Sequence, residues 1–409
     1  MKVVKGDFSF DIDAKTLEVA LTRMSNITSY SSSDTDKQNI FVSDGKTLYL
    51  VGLAQDITAY ISVCSEVKGS GYASFPIDVV QGLVKKRSGK FRIESDQSEL
   101  KIRSNSTSYK LTITLLSVGD DVLSDIKEIE PTEMKGTKIS EGTISSLRKY
   151  VKTASLKEAV FGSPLPVYID SRKDQLRVIS YDNYHALILI VPRKEETTFR
   201  LAVTGTTYGV IEKFISDHVV SFSVEKYLNL VGENSSFYAS LPPIQSKDED
   251  YDSAMNYYKS LKNPKVKFYI NGNSFKVIEN MATLRSAAAD AASTKYSFST
   301  KIGVVKREIE KTVDGVKKKK IEKAEGPVLE VTYSTSNGKA SEEIPLLMPE
   351  GYEDTWKKVS FVISNKILEN IVFPFASYSS VEFCVYERCV TLCAELTSQK
   401  LVALGTLDS

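Results

Sequence analysis

The chain has 409 residues, 42% hydrophobic and 26% charged, with 53 basic and 52 acidic side chains and a net charge of +1. That length predicts two to four domains, each able to bury a core, and the charge balance neither announces nor excludes a nucleic-acid partner, so only the placement of charge can point to one. No apolar run approaches the roughly 20 residues of a membrane-spanning helix, and the N-terminal MKVVKGDFSFDID lacks the apolar core of a secretory leader; a cytoplasmic protein with no membrane partner is expected.

Six helices are predicted from apolar spacing, each followed by alternating strands. The first carries Leu17, Ala20, Leu21 and Met24, and the strands QNIFVSD and LYLVGL follow it. The second opens at Phe75-Pro76, with proline suited to a first turn, and carries Ile77, Val80, Leu83 and Val84 ahead of KFRIES, ELKIRS and YKLTITLL. An acidic, turn-rich connector covers 119–136. The third helix has Ile144, Leu147, Val151 and Ala154, then LPVYIDSRKDQLRVIS repeats the strand–turn–strand pattern. The fourth has Val210, Ile211, Phe214 and Ile215, followed by HVVSFSV, YLNLVG and SFYASL. A second connector covers 245–263. The fifth helix has Phe275, Ile278, Met281 and Ala282. A basic hairpin, KREIEKTVDGVKKKKIEK over 306–323, follows, with Asp314-Gly315 as its turn. The sixth helix has Ile367, Leu368, Ile371 and Val372, stops near Pro374, and leads into VEFCVYE, CVTLCAEL and KLVALGTL.

One amphipathic helix beside a few strands cannot close a core, so the units should pair face to face. Six units then make an α+β protein of three tandem domains: 1–118, 137–244 and 264–409, the last with the basic hairpin inserted. At about 100° per residue, each helix puts a cation opposite its apolar stripe: Lys15 with Arg23, Lys85 with Lys86, Lys149 with Lys152, then Lys213, Lys276 and Lys366. If the helices faced one space, these lysines would attract phosphates through counterion release without reading bases.

Catalytic chemistry is not expected. Gly45-Lys46-Thr47 ends like a phosphate-binding loop, yet Ile40 stands where the first glycine is required. Of two histidines, His218 reads as a surface residue, and Asp56 and Asp182 read as turn caps. Cys64, Cys384, Cys389 and Cys393 lack zinc-ligand spacing, so neither metal nor cofactor is predicted.

Six helix-plus-meander units, three domains and lysine-dotted helix faces together resemble a DNA polymerase sliding clamp, the bacterial three-domain β clamp in particular. LRVISYDNYHALI, from Leu176 to Ile188, resembles the strand–Asp–turn–strand signature of that family, and LEVTYSTSNGKASEEIPL, from Leu329 to Leu346, resembles its last-domain stretch. The resemblance implies a ring closed around double-stranded DNA by head-to-tail chains, a dimer here by unit count. It implies a tether for DNA polymerase, opening by a clamp loader, no catalysis, and non-specific DNA contact through the helix lysines. It also implies a partner-peptide pocket lined, position by position, by Tyr181, His185, Ala186, Leu187, Leu241, Pro242, Leu401 and Ala403. The chain departs from the pattern where Asn183-Tyr184-His185 replaces Gly-His-Arg, and where it ends LVALGTLDS instead of a Met-Pro-Met-like tail. The Lys-, Ser- and Tyr-rich composition points to a phage-encoded member working in a host cytoplasm. Two alternatives fit the same residues: an open monomeric processivity factor holding DNA electrostatically, and a clamp-like co-activator recruiting RNA polymerase.

Overall fold

Phe8, Phe10 and Ile12 alternate inward along β1 (Phe8–Asp13), and Asp13 then turns the chain into α1 (Ala14–Thr28). Its Oδ1 accepts the N–H groups of Lys15 at 2.9 Å and Thr16 at 3.3 Å, two donors a helix start leaves unsatisfied. Leu17, Leu21, Met24 and Ile27, three and four apart, are fully buried, and each such side chain contributes about 1.5–3 kcal/mol of transfer free energy. The computed structural model describes the chain except residues 1–3, 29–36, 55–56, 65, 86, 105–108, 129–136, 140, 157–164, 194–197, 205–207, 210–219, 225–227, 233–235, 242–245, 279–294, 314–315, 336–337, 348–358 and 409.

Two compact units result. The first is Met1–Lys149 with Val203–Gln245. After α1 come β2 (Lys37–Asp44), β3 (Leu48–Ala54), β4 (Ile57–Cys64), β5 (Val67–Lys68) and β6 (Ser70–Ser74), then α2 (Ile77–Val84), β7 (Lys90–Ser95), β8 (Glu99–Ser104) and β9 (Lys110–Thr114). Helices α1 and α2 lie side by side, with Gln81 Nε2 donating to Thr22 Oγ1 at 3.2 Å. The β2–β3 turn around Gly45 is held by Asp44 Oδ1, which accepts from Lys46 and Thr47 N–H, and Gly45 sits at φ +92°. The phosphate-loop likeness is therefore a hairpin turn.

The connector expected at 119–136 contains α3 (Asp120–Glu128). Val118, Val122, Leu123 and Ile126 form one apolar face that packs on Ile40, Val42, Val51 and Tyr60. Strands β10 (Thr137–Ile139), β15 (Val220–Val224), β16 (Leu228–Val231) and β17 (Phe237–Leu241) complete this unit. Its sheets run β5-β1-β7-β8-β9 and β10-β15-β16-β17-β4-β3-β2-β6.

The second unit is Tyr150–Ala202 with Ser246–Ser409. Helix α4 (Glu141–Ala154) leads into it, burying Leu147, Val151 and Ala154 as its spacing predicts. Then come β11 (Pro166–Ser171), β12 (Gln175–Tyr181), β13 (His185–Pro192) and β14 (Phe199–Thr204). A 3-10 turn (Asp248–Tyr251) and α5 (Ser253–Ser260) occupy the second connector, where the sequence predicts only a linker. Strand β18 (Val266–Ile270) precedes a short turn in which Phe275 and Ile278 are buried. Strands β19 (Lys295–Val313), β20 (Val316–Thr335), β21 (Gly338–Leu347) and β22 (Ser360–Ser364) follow, then α6 (Asn365–Val372), β23 (Val381–Val385), β24 (Cys389–Leu396) and β25 (Gln399–Thr406). One sheet holds them all, in the order β14-β11-β12-β13-β25-β24-β23-β18-β21-β20-β19-β22.

The fourth predicted helix, with Val210, Ile211, Phe214 and Ile215, lies outside the described residues, as do Met281 and Ala282 of the fifth. Within 137–244, β10 and β15–β17 share a sheet with β4, whereas β11–β13 share one with β25. The reason is edge-to-edge strand pairing, β4 to β17 from Phe237↔Ile61 to Ser240↔Thr58, and β13 to β25 from His185↔Gly405 to Ile190↔Lys400. Among the described residues, no helix is long and apolar enough to cross a membrane.

Candidate functional site

The turn between β12 and β13 is built around one carboxylate. Asp182 Oδ1 accepts the N–H groups of Tyr184 at 2.7 Å and His185 at 2.9 Å, and lies 2.7 Å from His185 Nδ1. His185 Nε2 lies 2.9 Å from Asn370 Nδ2 on α6. An amide N–H can only donate, so Nε2 accepts and Nδ1–H donates to the Asp182 carboxylate. Burial pushes the Asp182 carboxyl upward, but the two N–H groups and the imidazole outweigh it and hold the group below the usual carboxylate range. His185 is buried and links the turn to α6.

The strands after the turn present two different faces. An added Cβ on Gly405 would meet Ile367 and Ile371 of α6, so that face of β25 lies under the helix. Residues paired directly across a ladder share a face, and the face alternates along a strand. His185↔Gly405, Leu187↔Ala403 and Leu189↔Leu401 therefore sit on the helix-covered side, and Ala186↔Leu404 on the other. Tyr181 pairs with Ala186, and Cys389 with Thr406, which places them with Leu404. On that side lies a cavity of about 260 Å³. Tyr181, Ala186 and Leu404 line it, Ala254 and Tyr257 of α5 form one wall, and Tyr184 and Thr406 close an end. Tyr184 and Tyr257 expose 37% and 51% of their surface, giving a largely apolar groove with an accessible aromatic rim.

The connector is clamped in place to make that wall. Asp170, almost wholly buried, accepts from Arg172 Nε at 2.6 Å and Arg200 Nε at 3.2 Å. Arg172 and Arg177 reach Asp252, and Arg200 reaches Asp248. Tyr168 stacks on Tyr181 and meets the Tyr251 ring edge-on. Asp248 and Asp252, two of the acidic residues that mark 245–263 as a linker in sequence, are the ion-pair partners of Arg172, of Arg177 on β12 and of Arg200 on β14.

Of the eight predicted pocket residues, Tyr181, His185 and Ala186 border the cavity. Leu187, Leu401 and Ala403 are fully buried on the α6 side, one residue out of phase with it. Leu241 is buried in β17 of the first unit, paired with Leu228, and Pro242 lies outside the described residues. Sequence missed Leu404, Thr406, Ala254 and Tyr257. In KLVALGTL both faces are apolar, so alternation offered no phase. A signal for Ala254 and Tyr257 did exist in the helical spacing of SAMNYYKS.

Of the predicted DNA contacts, Lys15, Lys85, Lys149, Lys152 and Lys276 are exposed, Arg23 and Lys366 are half-buried, and Lys86 and Lys213 lie outside the described residues. Lys15, Val19 and Arg23, four apart on α1, border one groove. Burial pushes up the thiols of Cys384, to about 12, and of Cys389 and Cys393, leaving them poor nucleophiles at neutral pH. Among the described residues no three His, Cys, Asp or Glu side chains converge as a metal site.

No protein-family model and no curated protein matches this chain. Solved structures do. A putative DNA polymerase III β subunit from Eubacterium rectale aligns over 98% of this chain and 99% of its own, at 13% identity and a TM-score of 0.71. The DNA polymerase III β subunit from Thermotoga maritima gives the same figures. A DNA polymerase sliding clamp from Pseudomonas aeruginosa aligns over 98% and 99%, at 12% identity and a TM-score of 0.67. The repeated helix and antiparallel-sheet units of this chain are, from end to end, the sliding-clamp fold.

Proposed function

We propose that this chain is a processivity clamp. Two copies joined head to tail enclose duplex DNA without reading its sequence, and a DNA polymerase is tethered by a peptide held in the cavity beside Tyr184 and Tyr257. A loader opens the ring, and the clamp catalyses nothing. Polymerase III β subunits and a sliding clamp share the fold, which supports this reading. The residues that carry it furthest are strand edges.

Within each unit the same joint recurs. β4, third strand after α1, pairs with β17, third in the run β15–β17, and β13, third strand after α4, pairs with β25, third strand after α6. Applied once more, the rule leaves β21 and β9. Among the described residues β9 ends its sheet, and β21 has no partner on its outer side from Gly338 to Pro345. Long bare edges invite pairing with another chain. β9 carries Lys110 and β21 carries exposed Glu342, so the two edges also complement each other in charge. A head-to-tail contact closes into a ring when its rotation permits.

The test uses Thr112→Pro. Leu115 N–H donates to Ser98 O and Ser104 N–H to Tyr109 O, a register in which Thr112 points its own N–H away from β8. Proline there removes a donor from the free edge and none from the existing ladder. Wild type is expected at twice the chain mass, retained on closed circular DNA and lost from linear ends. Thr112→Pro is expected at one chain mass and retained on neither. A wild type of single-chain mass, holding circular and linear DNA alike, would mean an open monomeric factor instead. Separately, glutamine at Lys15, Lys85 and Lys152 is expected to leave the thermal midpoint unchanged. It should flatten the salt dependence of duplex binding, by about 0.9 in log–log slope for each phosphate no longer neutralised. An unaltered slope removes those residues from the DNA face.

A further inference from the structure

We propose that the β19–β20 arm is a second, sequence-independent contact to the phosphates of duplex DNA; this rests on the clamp reading above. Pairing of β19 with β22 ends at Ser299, and pairing of β20 with β21 ends at Val328. Among the described residues, the two strands pair only with each other from Ile302↔Pro327 to Val313↔Val316, a ribbon about 40 Å long at the usual rise per residue. At its root Ile302 and Val304 continue the line of buried Tyr296, Phe298 and Thr300 out into solvent, 51% and 60% exposed. The ribbon therefore leaves the core at its root.

Its composition is that of a polyanion contact. Positions 306–323 hold eight basic and four acidic residues. At the supported base, Lys301 reaches Glu330 and Glu343, each at 2.8 Å. Beyond it, the register sets Lys306 opposite Lys323 and Lys311 opposite Lys318. Like charges in opposed positions work against strand pairing, and a lone two-stranded hairpin is marginal in water. A sequence selected only to hold this ribbon together would not keep those pairs; a bound polyanion relieves both.

Two features favour nucleic acid over an acidic protein. The four lysines at 317–320 are consecutive along β20, so successive register positions on both faces of the ribbon are lysines, a pattern that suits a narrow element flanked by phosphates. A two-stranded ribbon fits the duplex major groove. A protein interface instead rests on aromatic anchors, and 306–323 contains no aromatic residue. Lysine, a mobile point charge, holds phosphate without fixed geometry, so the contact reads no sequence.

Two variants test this: glutamine at Lys317, Lys318, Lys319 and Lys320 together, and replacement of 306–323 by Asn-Gly, which joins the paired Val305 and Ala324. Binding to a short fluorescent duplex is measured across salt concentrations, with a polyglutamate chain as the competing probe. The quadruple variant is expected to bind duplex at least about tenfold more weakly at low salt, with a log–log slope reduced by up to about 3.6. Arginine at the same four positions should restore both. Duplex affinity and slope equal to wild type in both variants overturn the proposal, and so does a loss confined to polyglutamate. A wild type that binds no duplex at all instead strikes the clamp reading itself. Removing like charges relieves repulsion within the ribbon, so a weakened complex cannot be ascribed to a lost fold.

Discussion

Replacing Tyr184 and Tyr257 together by alanine is expected to weaken binding of a polymerase-derived peptide at least about thirtyfold, the loss of one interface hot spot of about 2 kcal/mol. Both rings stand at the rim of the cavity, exposed, so their removal leaves the floor of Ala186 and Leu404 in place. The backbone of Tyr184 still takes part in the turn, its N–H donating to Asp182 and its carbonyl accepting the Thr406 N–H at 2.8 Å. The thermal midpoint should therefore stay near wild type while affinity falls. A charge at Leu401 would test something else. That residue is fully buried on the side covered by α6, and an unpaired buried charge unfolds the packing before it informs on a ligand. Peptide titration by fluorescence anisotropy decides the matter, and unchanged affinity in the double variant places the peptide elsewhere.

Asp170→Ala is expected to destabilise the second unit by about 3 kcal/mol, the low end of the range for breaking a buried ion pair. The carboxylate is only 2% exposed, but Arg172 and Arg200 are about one-third exposed, so water screens part of the loss. The alanine leaves two guanidinium groups facing each other without the anion between them. It also loosens Arg172 and Arg200, which hold Asp252 and Asp248, leaving Arg177 on Asp252, and so weakens the hold on the segment that carries Ala254 and Tyr257 into the cavity wall. Peptide affinity should then fall with stability. Asp170→Asn keeps the shape and one acceptor, and should lose less of both. Thermal unfolding beside peptide titration checks this, and an Asp170→Ala protein as stable as wild type would show that the connector is held by its apolar contacts alone.

Much of the architecture is legible because it is local. Leu17, Ala20, Leu21 and Met24 repeat at helical spacing and are buried as that spacing requires. KFRIES alternates and is buried on alternate positions. Asp182 as a turn cap, and a hairpin whose strands pair up to Val313↔Val316, follow from short-range chemistry, while the predicted turn residues Asp314 and Gly315 lie outside the described residues. The connectors misled because acidic residues mark them as solvated. In the fold, Asp248 and Asp252 meet arginines from strands tens of residues earlier, and Ile126 of α3 is fully buried.

By itself the amino-acid sequence determined the repeating helix-and-meander unit, the exposed helix lysines and the basic hairpin, since each depends on neighbours within about ten positions. Tertiary structure alone decided which strand edges meet, which face of β25 lies under α6, and that the cavity is made by Tyr184, Tyr257 and Leu404. Those three come from segments far apart in the chain, and a strand apolar on both faces carries no mark of which side will be covered.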